Sequence, residues 1–211
     1  MDEGKGLNMF GRAFRVFSLL GFPIQVDPSW FVVAVLVVWS LAGDVFPQSH
    51  PGLGWTTYAI MGVAGLAVLA ISIVFHELCH CVVARRFDVP IRGITLFIFG
   101  GVAEMEEEPP TARSEFLVAI AGPAGSAVLA SLGILGFSAG SVFGAPAPVL
   151  GVAWYLGWLN GMLAVFNLVP AFPLDGGRVL RAALWWAKGR IRWATRIAST
   201  IGSGFGILMM V

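Results

Sequence analysis

The chain has 211 residues and a formal net charge of +1; it is 57% hydrophobic and only 12% charged, with eight Trp and sixteen Phe. Soluble domains carry roughly 45–50% apolar and about 25% charged residues, so a water-soluble globule is excluded and a membrane protein is expected. A charge this near zero also removes the electrostatic case for nucleic acid, which favours a strongly basic face.

Taken in chain order, the N-terminus holds Lys5, Arg12 and Arg15 with no small-residue cleavage site after a short apolar run, so no removable signal peptide is read. The segment Phe14 to Asp27, with Pro23 and Gln25, is a candidate strand that could lie beside the hairpin predicted below at residues 89–105. Crossing a bilayer takes about 20 apolar residues in a helix. Spans are predicted over Trp30 to Val45, Trp55 to Ala84, Phe116 to Phe137 and Val149 to about Phe172. A fifth begins near Ala194 and is still apolar at Val211, as though cut short. Between the second and third spans, Val89 to Met105 is rich in β-branched and aromatic residues and broken by Gly100-Gly101, which predicts a hairpin. Strand edges cannot face lipid, so this small sheet belongs at the surface or under a cover of protein or water. The fold class expected is therefore an α-helical polytopic membrane protein of about five spans with a small membrane-associated β-sheet, without internal repeats.

Basic residues orient the array. Loops 43–54 and 138–148 contain no Lys or Arg, and all thirteen basic residues fall in the remaining segments. The positive-inside rule then predicts a cytoplasmic N-terminus in the cell membrane, with residues 174–193 at the cytoplasmic face as a continuation of the fourth span. The two cysteines, Cys79 and Cys81, point to opposite sides of a helix, which argues against a disulfide between them.

The second span ends in His76-Glu77-Leu78-Cys79-His80. Residues four apart on a helix share a face, so His76 and His80 can grip one ion, with Glu77 placed to move protons to and from a water beside it. The bland alternative is a pair of hydrogen-bonded interhelical histidines, which leaves unexplained a glutamate buried after the uncharged run Ile60 to Phe75. A catalytic zinc takes three protein ligands. His50 sits in the loop at the other end of the span and reads as solvated. Asp175 follows the helix breakers Pro170 and Pro173 and precedes Gly176-Gly177. Alone, Asp-Gly-Gly-Arg reads as a capped helix start; joined to the histidine motif on the same membrane side, it supplies the third ligand.

These two motifs, His76 to His80 and Asn167 to Asp175 ending in Asp-Gly-Gly, resemble the site-2 protease family of intramembrane zinc metalloproteases. The resemblance runs from about Phe17 to the end and includes the Gly100-Gly101 hairpin and Ala121-Gly-Pro-Ala-Gly125. It implies one zinc ion per chain held by His76, His80 and Asp175, with Glu77 catalytic. Asn160 and Asn167, two turns apart on one face, match asparagines thought to bind substrate backbone or the oxyanion; the alternative for them is interhelical hydrogen bonding. Cys79 departs from the Gly of many relatives and reads as a small packing residue, with a zinc-ligating thiolate as the alternative. Gly122, Pro123 and Gly125 read as close packing, and Glu106-Glu107-Glu108 as a solvated linker.

The resemblance further implies one intramembrane metalloprotease domain over residues 1–211, with a further span or a regulatory nucleotide-binding domain expected beyond it. Substrates are expected to be single-span membrane proteins of the anti-sigma-factor or membrane-tethered-regulator type, in the lipid bilayer and without nucleic acid. The hairpin stretch Ile94 to Val102 is expected to pair with an unwound substrate strand. Two rival functions remain open: a polytopic metal or proton transporter using His, Glu and Asp as a relay, and a catalytically dead scaffold.

Overall fold

The computed structural model describes residues 13–208, with side chains to residue 204. Expectations for Lys5, Arg12 and the last residues of the fifth span lie outside this range. The chain opens with a hairpin of β1 (Phe14–Leu19) and β2 (Phe22–Val26), turned by Leu20 and Gly21 at φ 51° and 88°. β2 then pairs in parallel with β3 (Ile91–Phe97), and β3 pairs antiparallel with β4 (Gly100–Met105), giving the order β1-β2-β3-β4.

The predicted hairpin is thus present, but the expectation that Ile94 onward presents an open edge is corrected for β3. Ile24 lies opposite Ile94, and the Asp27 N–H donates to Leu96 O at 2.8 Å, so β3 is covered on both sides. The N-terminal strand is the cause. Among the described residues, the strands at the ends of the sheet are β1 and β4.

Helix α1 (Trp30–Ser40) continues through a π-helical turn, Leu41–Val45, into α2 (Phe46–Ser49). Then come α3 (Trp55–Arg85), α4 (Ala112–Val142) and α5 (Ala147–Asn167). Among the described residues, four stretches are long and apolar enough to cross a membrane: Trp30–Ser49, Trp55–Arg85, Ala112–Val142 and Ala147–Asn167. Their outer faces expose large apolar side chains, Trp39 at 71% and Val142 at 81% among them, as lipid contact requires. Small residues let the backbones close up, as they do between helices in lipid: a Cβ on Gly133 of α4 would lie 2.3 Å from the Gly157 nitrogen of α5. α4 starts at a capping box of Thr111 and Ser114 and carries Pro123 inside it.

Two boundaries differ from the sequence reading. The fourth span ends at Asn167, not near Phe172, and α6 (Asp175–Lys188) is a separate helix rather than its continuation. Pro170 and Pro173 cannot donate helical hydrogen bonds, so residues 168–174 form a turn between the two. α7 (Ile191–Leu208), which contains the start of the expected fifth span, is not among the four membrane-length helices; Arg192 and Arg196 lie in its first turns.

The sheet lies against α3. Phe22, Ile24 and Ile94 cluster with Leu78 and Cys81 on the helix face next to the histidine motif, and Trp30, Ile73 and Leu96 form a second cluster one turn away. Cys81 is fully buried in the first cluster. This packing fixes β4 beside Glu77.

Candidate metal centre

His76, Glu77 and His80 lie in the second half of α3, and Asp175 is the first residue of α6. The N-cap position of α6 is Leu174, which has no polar side chain to cap the helix, and the Asp175 carboxylate stands at the first helical position. It points across to α3, where Oδ2 lies 3.1 Å from His76 Nε2 and 3.2 Å from His80 Nε2. The two Nε2 atoms are themselves 3.2 Å apart. Gly176 makes the turn possible: a Cβ there would lie 2.2 Å from Leu168 O.

The triangle fits a zinc ion. Tetrahedral coordination at bonds of about 2.0–2.1 Å puts ligand atoms roughly 3.3–3.4 Å apart, close to the three separations observed. Outer contacts set the ring nitrogens. His80 Nδ1 lies 2.6 Å from Val118 O, which can only accept, so Nδ1 carries the hydrogen and Nε2 is the free donor atom. His76 Nδ1 lies 2.9 Å from the buried Ser126 hydroxyl. Three electron-rich atoms converge, and a positive charge belongs between them.

Space is kept for it. A Cβ on Gly122 would lie 2.2 Å from His80 Nε2 and 2.6 Å from His76 Nε2, on the donor atoms themselves. Sequence alone assigns Gly122 to close packing; in the structure it faces the Nε2 atoms of His76 and His80. Gly125 packs likewise on Cys79, whose Sγ would be 2.5 Å from a Cβ there. Among the described residues the only potential metal-binding group is His76, His80 and Asp175, without Cys79 or His50. His50 contacts the Ser49 hydroxyl, before the start of α3.

Glu77 Oε2 accepts the Ala103 N–H of β4 at 3.1 Å. Gly101 faces the same helix turn; a Cβ there would lie 2.5 Å from Ile73 and 3.1 Å from Glu77 Cγ. The two asparagines make hydrogen bonds on their own helix, and Asn160 one more to α3. Asn160 is fully buried and its amide donates to Ser72 Oγ at 2.8 Å and Leu156 O at 2.9 Å, leaving Oδ1 unpartnered. Asn167 is half-buried at the end of α5 and donates to Leu163 O at 2.9 Å.

The profile of peptidase family M50 matches residues 64–144 and 144–211. The chain belongs to this family. It is 43% identical over 206 residues to a Synechocystis protein carrying a zinc-metalloprotease name, covering 96% of this chain and 52% of the relative. It is 32% identical over 199 residues to a zinc metalloprotease of Methanocaldococcus jannaschii, covering 94% of this chain and 53% of the relative. Among solved structures it resembles the site-2 protease of the same archaeon, with TM-score 0.60, 32% identity, and coverage of 94% of this chain and 83% of that one. The chain spans about half the length of these curated relatives. Membership in family M50 agrees with the polytopic helical fold, and the names of its relatives specify zinc as the ion that the donor set suits.

Proposed function

We propose that this chain is the membrane-embedded catalytic part of a zinc metallopeptidase that hydrolyses peptide bonds within or beside the transmembrane segments of membrane-anchored regulatory proteins. One observation carries the reading. Glu77, next to the ligand His76, is tied through Ala103 to the outer side of β4, so a proton-transfer group, a metal-binding triad and an open strand edge meet at one place.

When bound, zinc polarises a carbonyl and makes water more acidic. The chain supplies the rest. Glu77 takes the proton from the attacking water and delivers it to the leaving amine. The Ala103 N–H fixes the carboxylate in position for both steps. A transmembrane helix hides its peptide bonds, so the substrate unwinds locally, and an extended segment is held by strand addition. In β4 the groups facing outward are those of Gly101 and Ala103; with the Ala103 N–H held by Glu77, the Gly101 N–H and C=O and the Ala103 C=O are the groups offered to a substrate strand. Leu96, opposite Gly101, spends its carbonyl on Asp27 away from β4, and alternate residues of a strand face the same way. The reading thus moves the expected docking edge from the middle of the hairpin to β4.

The substrate class of this proposal is the single-span regulator, of the anti-sigma-factor or membrane-tethered-factor type. The proposal puts the site toward the cytoplasm of the cell membrane; the absence of basic residues from segments 43–54 and 138–148 supports that orientation. Asn167, beside the turn that delivers Asp175, is the better placed asparagine for an oxyanion contact. The test is incubation of purified, zinc-loaded protein with a panel of single-span membrane proteins, followed by mass spectrometry of the fragments. Cleavage at a position inside or next to the span supports the reading; intact substrates across a panel that includes regulators from the same genome oppose it.

A further inference from the structure

We propose that the buried ion pair between Arg181 and Glu115 is a positioning device for Asp175, setting α6 against the face of α4 that also orients both histidines. The proposal rests on the metal-centre reading above.

The third ligand comes from far away in the chain. Asp175 is 99 residues from His76 and 95 from His80, and it is delivered by a turn whose internal backbone bonds include Ala171 N–H to Val169 O and Leu174 N–H to Ala171 O. Such a turn does not by itself fix a carboxylate to the precision a metal ligand needs. Arg181, six residues further on, supplies an anchor. Its Nε donates to Glu115 Oε1 at 2.6 Å, Nη2 lies 2.5 Å from the same oxygen, and Nη1 reaches Glu108 Oε1 at 3.2 Å. The guanidinium also lies over the Phe172 ring, 5.7 Å from its centroid. One side chain therefore joins α6 to α4, to the segment before α4, and to the turn carrying Asp175.

Stability alone is a poor reason for the pair. Glu115 is 1% exposed and its Oε2 has no hydrogen-bond partner. A half-satisfied buried carboxylate is costly, and apolar residues of similar volume usually replace such pairs without loss of stability. What the pair offers is register. Glu115, Val118, Gly122 and Ser126 follow at intervals of three and four, which places them on one face of α4. Val118 holds His80, Ser126 holds His76, and Gly122 leaves room at both Nε2 atoms. Arg181 clamps the Asp175 helix to the first turn of that same face.

Zinc affinity, measured by chelator competition on the detergent-solubilised protein, tests this without reference to cleavage. The double variant Glu115→Leu/Arg181→Met avoids a stranded charge. It should keep its helical circular dichroism and bind zinc about 10–100-fold more weakly, the usual cost of losing an outer contact to a metal ligand. Placed in an Asp175→Ala background, the same double substitution should cause no further loss, because it acts through Asp175. The visible spectrum of the cobalt-loaded double variant should shift toward that of Asp175→Ala. Should the double variant fail to fold, Arg181→Lys, which keeps the charge and loses the fork, should show the same non-additivity with Asp175→Ala. Unchanged affinity in the folded variant, or an equal loss with Asp175 already removed, overturns the positioning role. A wild-type protein that binds no zinc overturns instead the metal-centre reading on which it rests.

Discussion

Glu77 and Ala103 are joined by a 3.1 Å hydrogen bond from the strand's backbone to the helix's carboxylate. On the function proposed above, the relationship would tie proton transfer to strand docking, because the group that orients Glu77 belongs to the edge on which an extended peptide would lie. Ala103→Pro removes that N–H and blocks pairing at the edge, while leaving the β3 ladder on the opposite side of the strand in place. Cleavage should fall by at least ten-fold with zinc content unchanged. Ala103→Gly, which keeps the N–H, should retain most of the activity. Full activity in Ala103→Pro would remove β4 from the account.

Gly122→Ala should abolish tight zinc binding. Its methyl would lie 2.2 Å and 2.6 Å from the two Nε2 atoms, well inside van der Waals contact, and α3 and α4 would have to part to accept it. Helical content should be nearly unchanged, since alanine is a good helix residue. Stoichiometric zinc in the variant, measured by elemental analysis, would show that the gap is not needed.

The two asparagines should separate by phenotype. Asn160 is fully buried and bonded to Ser72, so Asn160→Ala should act first on stability, by about 1 kcal/mol for a hydrogen bond lost between helices. Thermal unfolding in detergent reads this. Asn167→Ala should leave the unfolding temperature close to wild type and slow cleavage by about 10²–10³-fold, the cost of one oxyanion donor. Equal behaviour of the two variants would contradict the distinction.

Much of this arrangement was legible in the sequence, for identifiable reasons. Apolar runs mark the four membrane-length helices because lipid demands them, and the His76–His80 and Asp175 motifs are dense in chemistry. The β3–β4 hairpin showed through Gly100-Gly101. A strand within Phe14 to Asp27 beside it was legible too; its parallel pairing with β3, which closes that edge, was not, because Ile24 and Ile94 are paired across three intervening helices and no local pattern records a parallel pairing of that range. The turn at 168–174 was visible as Pro170 and Pro173, yet α6 reads as a continuation until the loss of backbone donors is followed through. Gly122 looked like packing because a missing side chain gives no sign of what it makes room for. Val118 acts through its carbonyl, which every residue possesses. Glu106-Glu107-Glu108 read as a solvated linker, and all three are exposed; in addition Glu106 bonds Arg92 at 2.7 Å and Glu108 bonds Arg181 at 3.2 Å, partners that only the fold brings close.

The central claim, hydrolysis driven by Glu77 at a zinc centre inside the membrane, is tested most directly by comparing wild type and Glu77→Gln on one cleaved single-span substrate, with zinc quantified in both. The amide can still accept the Ala103 N–H but cannot take a proton from water. Both proteins should hold about one zinc per chain, and cleavage by Glu77→Gln should be undetectable. A Glu77→Gln protein that cuts the same bond at close to the wild-type rate would contradict the account.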